Sequence, residues 1–241
     1  MAYNKKMFSP KKVIPLVMVG LLVGLGAFLF LSFRGSASRT NVVIKFITQP
    51  QSNQRYLIKA GSRCNGAPFS FPSDGMVGYI WDDSFRVGHR HQGIDIFAGT
   101  DVGITPVYAA YAGYLSREPG WVSSLIIRVP SDPLNPGTQI WTYYTHMADA
   151  QGNSFIEAAY PMGSEEVYIE EGTLLGYQGN YSGDPAKPVG VHLHFSVTKD
   201  DGGGKWLNEL EIANTNDPSA YLGLKLNAGD NPDDIPLCTP N

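Results

Sequence analysis

Five histidines are spread over 241 residues, and four of them fall into patterns that suggest chemistry. HRHQGIDIF, residues 89–97, places Asp95 four positions after His91, with Gly93 between them. VHLHF, residues 191–195, carries His192 and His194, and YYTHM, residues 143–147, carries His146. On a strand, residues i and i+2 share a face, so His192 and His194 project side by side while Leu193 and Phe195 turn away. A catalytic zinc takes three protein ligands from His, Asp or Glu and leaves one position for water. His91, Asp95 and one of His192 and His194 meet that demand, and the carboxylate trims the charge of the metal. Zinc chemistry also needs a proton carrier beside the site, and two histidines remain after ligation to supply it. For any one histidine a surface or packed role is the simpler reading, but for the set it is not. Calcium or magnesium would require mostly oxygen donors. Cys64 and Cys238 lie far from the motifs, so a Cys-based structural zinc is unsupported.

The elements that must position these residues read as strands. MVGYIW, GIDIF, VYAAYAGYL, SLIIRV, QIWTYYTHM, GTLLGYQ and VHLHFSV are short, rich in β-branched and aromatic residues, and bounded by turn formers. NVVIKFI (Asn41 to Ile47) reads as a further short strand. Beyond residue 34, only KWLNELEIA offers a modest helical period. With 27 glycines and 17 prolines for the turns, the expected fold class is mainly β, an antiparallel sheet. Trp81, Trp121, Trp141 and Tyr143 sit in or beside these segments, where packing is a commoner role than stacking on sugar rings.

HQGIDI resembles the H-x-G-x-D motif, and HLHF the H-x-H motif, of the lysostaphin/LytM-type zinc endopeptidases. TPVYAAYAGYL, YYTHM and EGTLLGYQGNYSGD resemble that family's intervening segments in the same order, and NDPSAYL its closing one; the resemblance covers roughly Phe71 to Leu222. It implies an antiparallel sheet of the duplicated-hybrid-motif type with a zinc-containing groove. One Zn2+ per chain would be held by His91, Asp95 and His194. His146 and His192 would be the catalytic pair beside the open coordination position. The implied activity is hydrolysis of peptide bonds in peptidoglycan stem peptides or cross-links. A non-catalytic domain of the same fold, binding peptidoglycan or activating an amidase, is the alternative; such a domain has no physical need for the two non-ligand histidines. The chain departs from the family pattern at Val191, where proline is usual, in the long run Gly179 to Gly190, and at Ala148 to Glu170. That last stretch reads as a loop inserted beside the groove. Arg86 resembles the arginine of a family segment near the first motif, and His89 and Arg90 read as loop residues.

Val13 to Phe33 is an uncharged, predominantly apolar run of 21 residues. As a helix it spans about 30 Å, the thickness of a bilayer core. Lys5, Lys6, Lys11 and Lys12 precede it, which places residues 1–12 in the cytoplasm by the positive-inside rule. The run exceeds the ~7–15 apolar residues of a signal peptide, so an uncleaved anchor is expected, with cleavage near GSAS as the rival. The expected organisation is residues 1–12 cytoplasmic, 13–33 a transmembrane anchor in the cytoplasmic membrane and 34–70 a stalk or irregular N-terminal region. The peptidase domain over residues 71–222 and a tail over 223–241 then lie outside the cytoplasm. Five of the 18 basic residues and none of the 22 acidic ones fall in the first 34 positions, so the remainder carries a net charge of −9. That balance argues against nucleic acid as a partner, and nothing in the sequence names a regulatory protein. In an oxidising compartment Cys64 and Cys238 are positioned in sequence to tie the tail to the start of the domain. Residues 35 to 70, or the insertion, are the segments available to cover the groove.

Overall fold

The computed structural model describes residues 39–83, 89–224 and 235–238. The expected anchor over 13–33, Arg86 and most of the C-terminal tail lie outside the described residues. Among the described residues no helix is long and apolar enough to cross a membrane.

The fold is a mainly antiparallel β-sheet. Its strands are β1 (Met76–Tyr79), β2 (Ile94–Phe97), β4 (Gly113–Arg117), β5 (Leu125–Val129), β6 (Ile140–Thr145), β7 (Ser164–Ile169), β9 (Leu193–Lys199) and β10 (Thr215–Asn216). They form an eight-stranded sheet in the order β1-β2-β9-β6-β5-β4-β7, with β10 also on β9, while β3 (Pro106–Tyr108) and β8 (Leu174–Tyr177) pair separately. Alternation along the strands gives the sheet two different faces. Ile94 and Ile96, Leu193, Phe195 and Val197, and Tyr144 join the main apolar core on one side. Asp95 and His194 leave the same strands on the other, and His192 sits just before β9.

Three expectations about local structure are corrected. Residues 39–48, read as a strand over 41–47, form a helix, α1. A run of Val, Ile and Phe this short is compatible with either state, and docking decides. α1 packs Val43 and Phe46 against Met76 and Phe97 in a small second core. KWLNELEIA is not an α-helix; it is turn-like and ends in a 3-10 turn at Ile212–Asn214. The segment from Ala148 to Glu170 is not an unstructured loop over the groove. It contains β7, which pairs with β4 at the sheet edge farthest from β1 and β2. Four of the six β7 residues are exposed, and its acidic side chains suit an unpaired edge. Cys64 and Cys238 are bonded, with Cα atoms 5.0 Å apart, which fastens residues 235–238 to the domain.

Candidate active site

The site is assembled by strand register. In the β2–β9 ladder Asp95 stands opposite His194, and in the β6–β9 ladder Thr145 stands opposite His194. Three neighbouring strands therefore fix the lateral spacing of the site. His91 precedes β2 and is held by its own backbone, its N–H donating to Asp83 O at 2.8 Å and its carbonyl accepting from Asp82 N at 2.8 Å. Gly93, between the two motif residues, lies against β9. A Cβ there would stand 2.3 Å from the Phe195 carbonyl oxygen, so no larger residue lets the two strands approach.

His146 follows β6. Continued alternation would put its ring on the core side with Tyr144. Instead its backbone takes φ +69°, the left-handed region, and the ring turns back to the groove. Gly179 supports that turn, since a Cβ there would lie 2.5 Å from the His146 carbonyl and 2.1 Å from that of Ala148.

His91 Nε2 lies 3.1 Å from Asp95 Oδ1 and 3.0 Å from His194 Nδ1, and His194 Nδ1 lies 2.9 Å from Asp95 Oδ1. Ligands of a tetrahedral zinc at about 2.0–2.1 Å stand about 3.3 Å from one another, so this triangle fits the ion to within a few tenths of an ångström. Two imidazoles and one carboxylate also suit zinc better than calcium or magnesium. The three residues are buried and form a group able to hold a metal ion. His192 lies beside them, with Nε2 3.5 Å from Asp95 Oδ1 and its ring stacked on Phe97 at 4.9 Å. The His146 ring is 4.5 Å from that of His192 and 6.1 Å from that of His194.

Each of these four histidines has one ring nitrogen held by an acceptor. His91 Nδ1 donates to Ile80 O at 3.1 Å, His146 Nδ1 to Tyr181 O at 2.6 Å and His192 Nδ1 to Gly190 O at 2.6 Å. Their Nε2 atoms are thereby turned to the site. His194 is held the other way, with Nε2 2.8 Å from Glu209 Oε1.

Charge follows the same plan. Burial opposes ionisation of Asp95, but His91, His192 and His194 hold its carboxyl well below the usual range. Burial also opposes a charged His194, yet Asp95 and Glu209 push it up to about 10, so the position favours a cation. Burial, with His192 and His194 adding to it, pushes His146 down to about 3 and keeps it neutral.

The groove over the site has a volume of about 570 Å³. Thr40, Val43, Ile44 and Ile47 of α1 form one wall and Leu210 part of the other. Part of the segment expected as a stalk is thus a wall of the site, anchored by Thr40 Oγ1 to Tyr79 Oη at 2.8 Å and by the Arg39–Asp83 pair at 3.5 Å. His89 also lines the groove, while Arg90 pairs with Asp82 away from it. No residue of 148–170 lines the groove. Trp81 donates to Thr215 Oγ1 at 2.9 Å, and Trp121, Trp141, Tyr143 and Trp206 pack on one another at the flank.

Glu209 escaped the sequence reading. It belongs to KWLNELEIA, 15 residues after His194, and no spacing rule joins a loop carboxylate to a strand histidine at that distance.

No protein-family model matches the sequence, and no curated protein matches it either. Among solved structures it overlaps lysostaphin from Staphylococcus simulans, at 18% identity and TM-score 0.41, over 62% of this chain and 49% of that one. A protein from Pseudomonas aeruginosa described as peptidase M23 gives 19% and 0.40, over 75% and 62% of the two chains. The catalytic domain of the prophage-encoded M23 protein EnpA from Enterococcus faecalis gives 21% and 0.37, over 62% and 95%. The structures it resembles are M23, or lysostaphin/LytM, peptidases. The chain spans about half the length of lysostaphin and less than two thirds of the Pseudomonas protein.

Proposed function

We propose that the chain is a zinc metallopeptidase that hydrolyses peptide bonds in peptidoglycan, held at the cytoplasmic membrane by residues 13–33 with its catalytic domain outside. The observation that carries the enzymatic part is the convergence of His91 Nε2, Asp95 Oδ1 and His194 Nδ1 beside two further histidines. His91, Asp95 and His194 would hold zinc, which when bound supplies Lewis acidity and lowers the pKa of a water toward ~7. His146 and His192 do the proton work. Both have Nδ1–H committed to a backbone carbonyl, so each turns Nε2 to the groove. One takes the proton of the attacking water; together they meet the oxyanion and return the proton to the leaving amine. A domain that only bound the wall would gain nothing from this second pair.

Digestion of purified muropeptides, read by mass spectrometry with and without a chelator, tests the reading. Cleavage that the chelator abolishes is expected. His194→Ala should lose most of the metal, whereas His146→Ala should keep it and lose turnover. Metal-loaded protein that cuts no muropeptide would leave a binding domain.

A further inference from the structure

The reversed hold on His194 points to a residue outside the ligand and catalytic sets. Backbone carbonyls fix His91, His146 and His192, but His194 is fixed by a carboxylate. Glu209 Oε1 accepts from His194 Nε2 at 2.8 Å and from Ser196 Oγ at 3.3 Å. Its side chain is 12% exposed, so little water competes for it. Ser196 is two residues beyond His194 on β9, on the same strand face, and it holds the carboxylate from the sheet side.

The loop that delivers Glu209 is itself fastened. Gln92, next to His91, donates from Nε2 to the Leu210 carbonyl at 2.8 Å. Leu210 N donates to Asn208 Oδ1 at 3.1 Å, and Asn214 Nδ2 to Asn208 O at 2.9 Å. Trp206 packs against Trp121 and Trp141 at the root of the loop. One loop is therefore tied to residues beside both ligand histidines.

We propose that Glu209 is the positioning residue for His194. By accepting the Nε2 proton it fixes the tautomer whose Nδ1 lone pair faces His91 and Asp95, and its charge makes that nitrogen a stronger donor to a divalent cation. Carboxylates that orient a ligand histidine typically change metal affinity by about 10–100-fold when removed. A backbone carbonyl orients a ring without adding a full charge, so His194 is the ligand whose strength is set by a replaceable side chain. This inference rests on the metal site proposed above.

Two variants separate orientation from charge. Glu209→Gln keeps the shape and an acceptor oxygen but loses the charge; Glu209→Ala loses both. Zinc affinity, by competition with a chromophoric chelator at one fixed pH, should fall about 10–100-fold in Glu209→Ala and by less in Glu209→Gln. In the zinc-loaded protein, imidazole 15N NMR should show His194 protonated at Nε2 and unprotonated at Nδ1 in the parent, and a mixture of Nε2–H and Nδ1–H forms in Glu209→Ala. A merely structural role would lower the melting temperature of metal-free and zinc-loaded protein alike. The proposed role shrinks the increment that zinc adds. If Glu209→Ala does not fold, the near-isosteric Glu209→Gln carries the affinity test. Parent protein that takes up no stoichiometric zinc defeats the metal-site reading itself. Parent protein that binds zinc, with both variants within twofold of it and the tautomer unchanged, overturns the role of Glu209 alone.

Discussion

The two walls of the groove are built on different principles. On one side Asp95, His194 and Thr145 lie on β2, β9 and β6, and backbone ladders set their separation. On the other, α1 belongs to no sheet. It rests on a small core of its own and on side-chain links that include Thr40 to Tyr79 and Arg39 to Asp83. The geometry of the candidate metal site is therefore secured by register, while the opposite wall of the groove is secured by packing. A change that disturbs the first should destroy the site; a change that disturbs the second should reshape the groove and spare the ligands.

Gly93→Val attacks the register wall and has the largest expected effect. Its Cβ would collide with backbone of β9, and only separation of β2 from β9 relieves the contact. We expect a loss of more than about 3 kcal/mol, or no folded protein. Chemical denaturation measures it, and a variant of parental stability would refute the close-approach explanation of this glycine.

Phe46→Ala attacks the packed wall. Phe46 is fully buried in the second core, and truncation of such a side chain costs about 3–5 kcal/mol where the surroundings cannot collapse. Because that core is separate, the damage should stay local. Hydrogen exchange should show α1 amides losing protection while β9 amides keep theirs, with metal content unchanged. Equal loss of protection in both would mean that the walls form one cooperative unit.

Near neutral pH the smallest effect concerns His146, which lines the groove together with residues of both regions. Its pKa is depressed to about 3, so the unfolded chain binds a proton there more readily than the folded one. Stability from this group is complete above the unfolded value of about 6.5 and declines as pH falls from there toward 3. In NMR titration of the metal-free protein, the His146 ring should show no midpoint between pH 5 and 8. A midpoint near 6.5 would mean that the ring is hydrated and turned out of the site.

What was legible in the sequence follows the same division. The sheet and the histidine pairing rest on period-2 patterns, and β9 displays them openly: His192 and His194 face one way, Leu193 and Phe195 the other. α1 was misread because NVVIKFI is too short and too rich in β-branched residues to declare a period. Its helical state is set by contacts with Met76 and Phe97, which sequence order does not reveal. β7 was missed because SEEVYI lies exposed at an edge and has no buried face to alternate. Glu209 was missed for a different reason: its partner is fixed by a loop's tertiary path, and no local pattern encodes that.

The placement of His194 on β9 also bears on how a bound cation would depart. β9 is interior to the sheet, hydrogen-bonded to β2 along one edge and to β6 along the other. Central strands of this kind usually exchange their amides only when the whole domain opens. Fraying of a sheet edge would then offer the ion no exit. It would leave through the groove mouth by stepwise exchange of its ligands, so chelators should extract it at a rate set by access and ligand chemistry, with the fold intact.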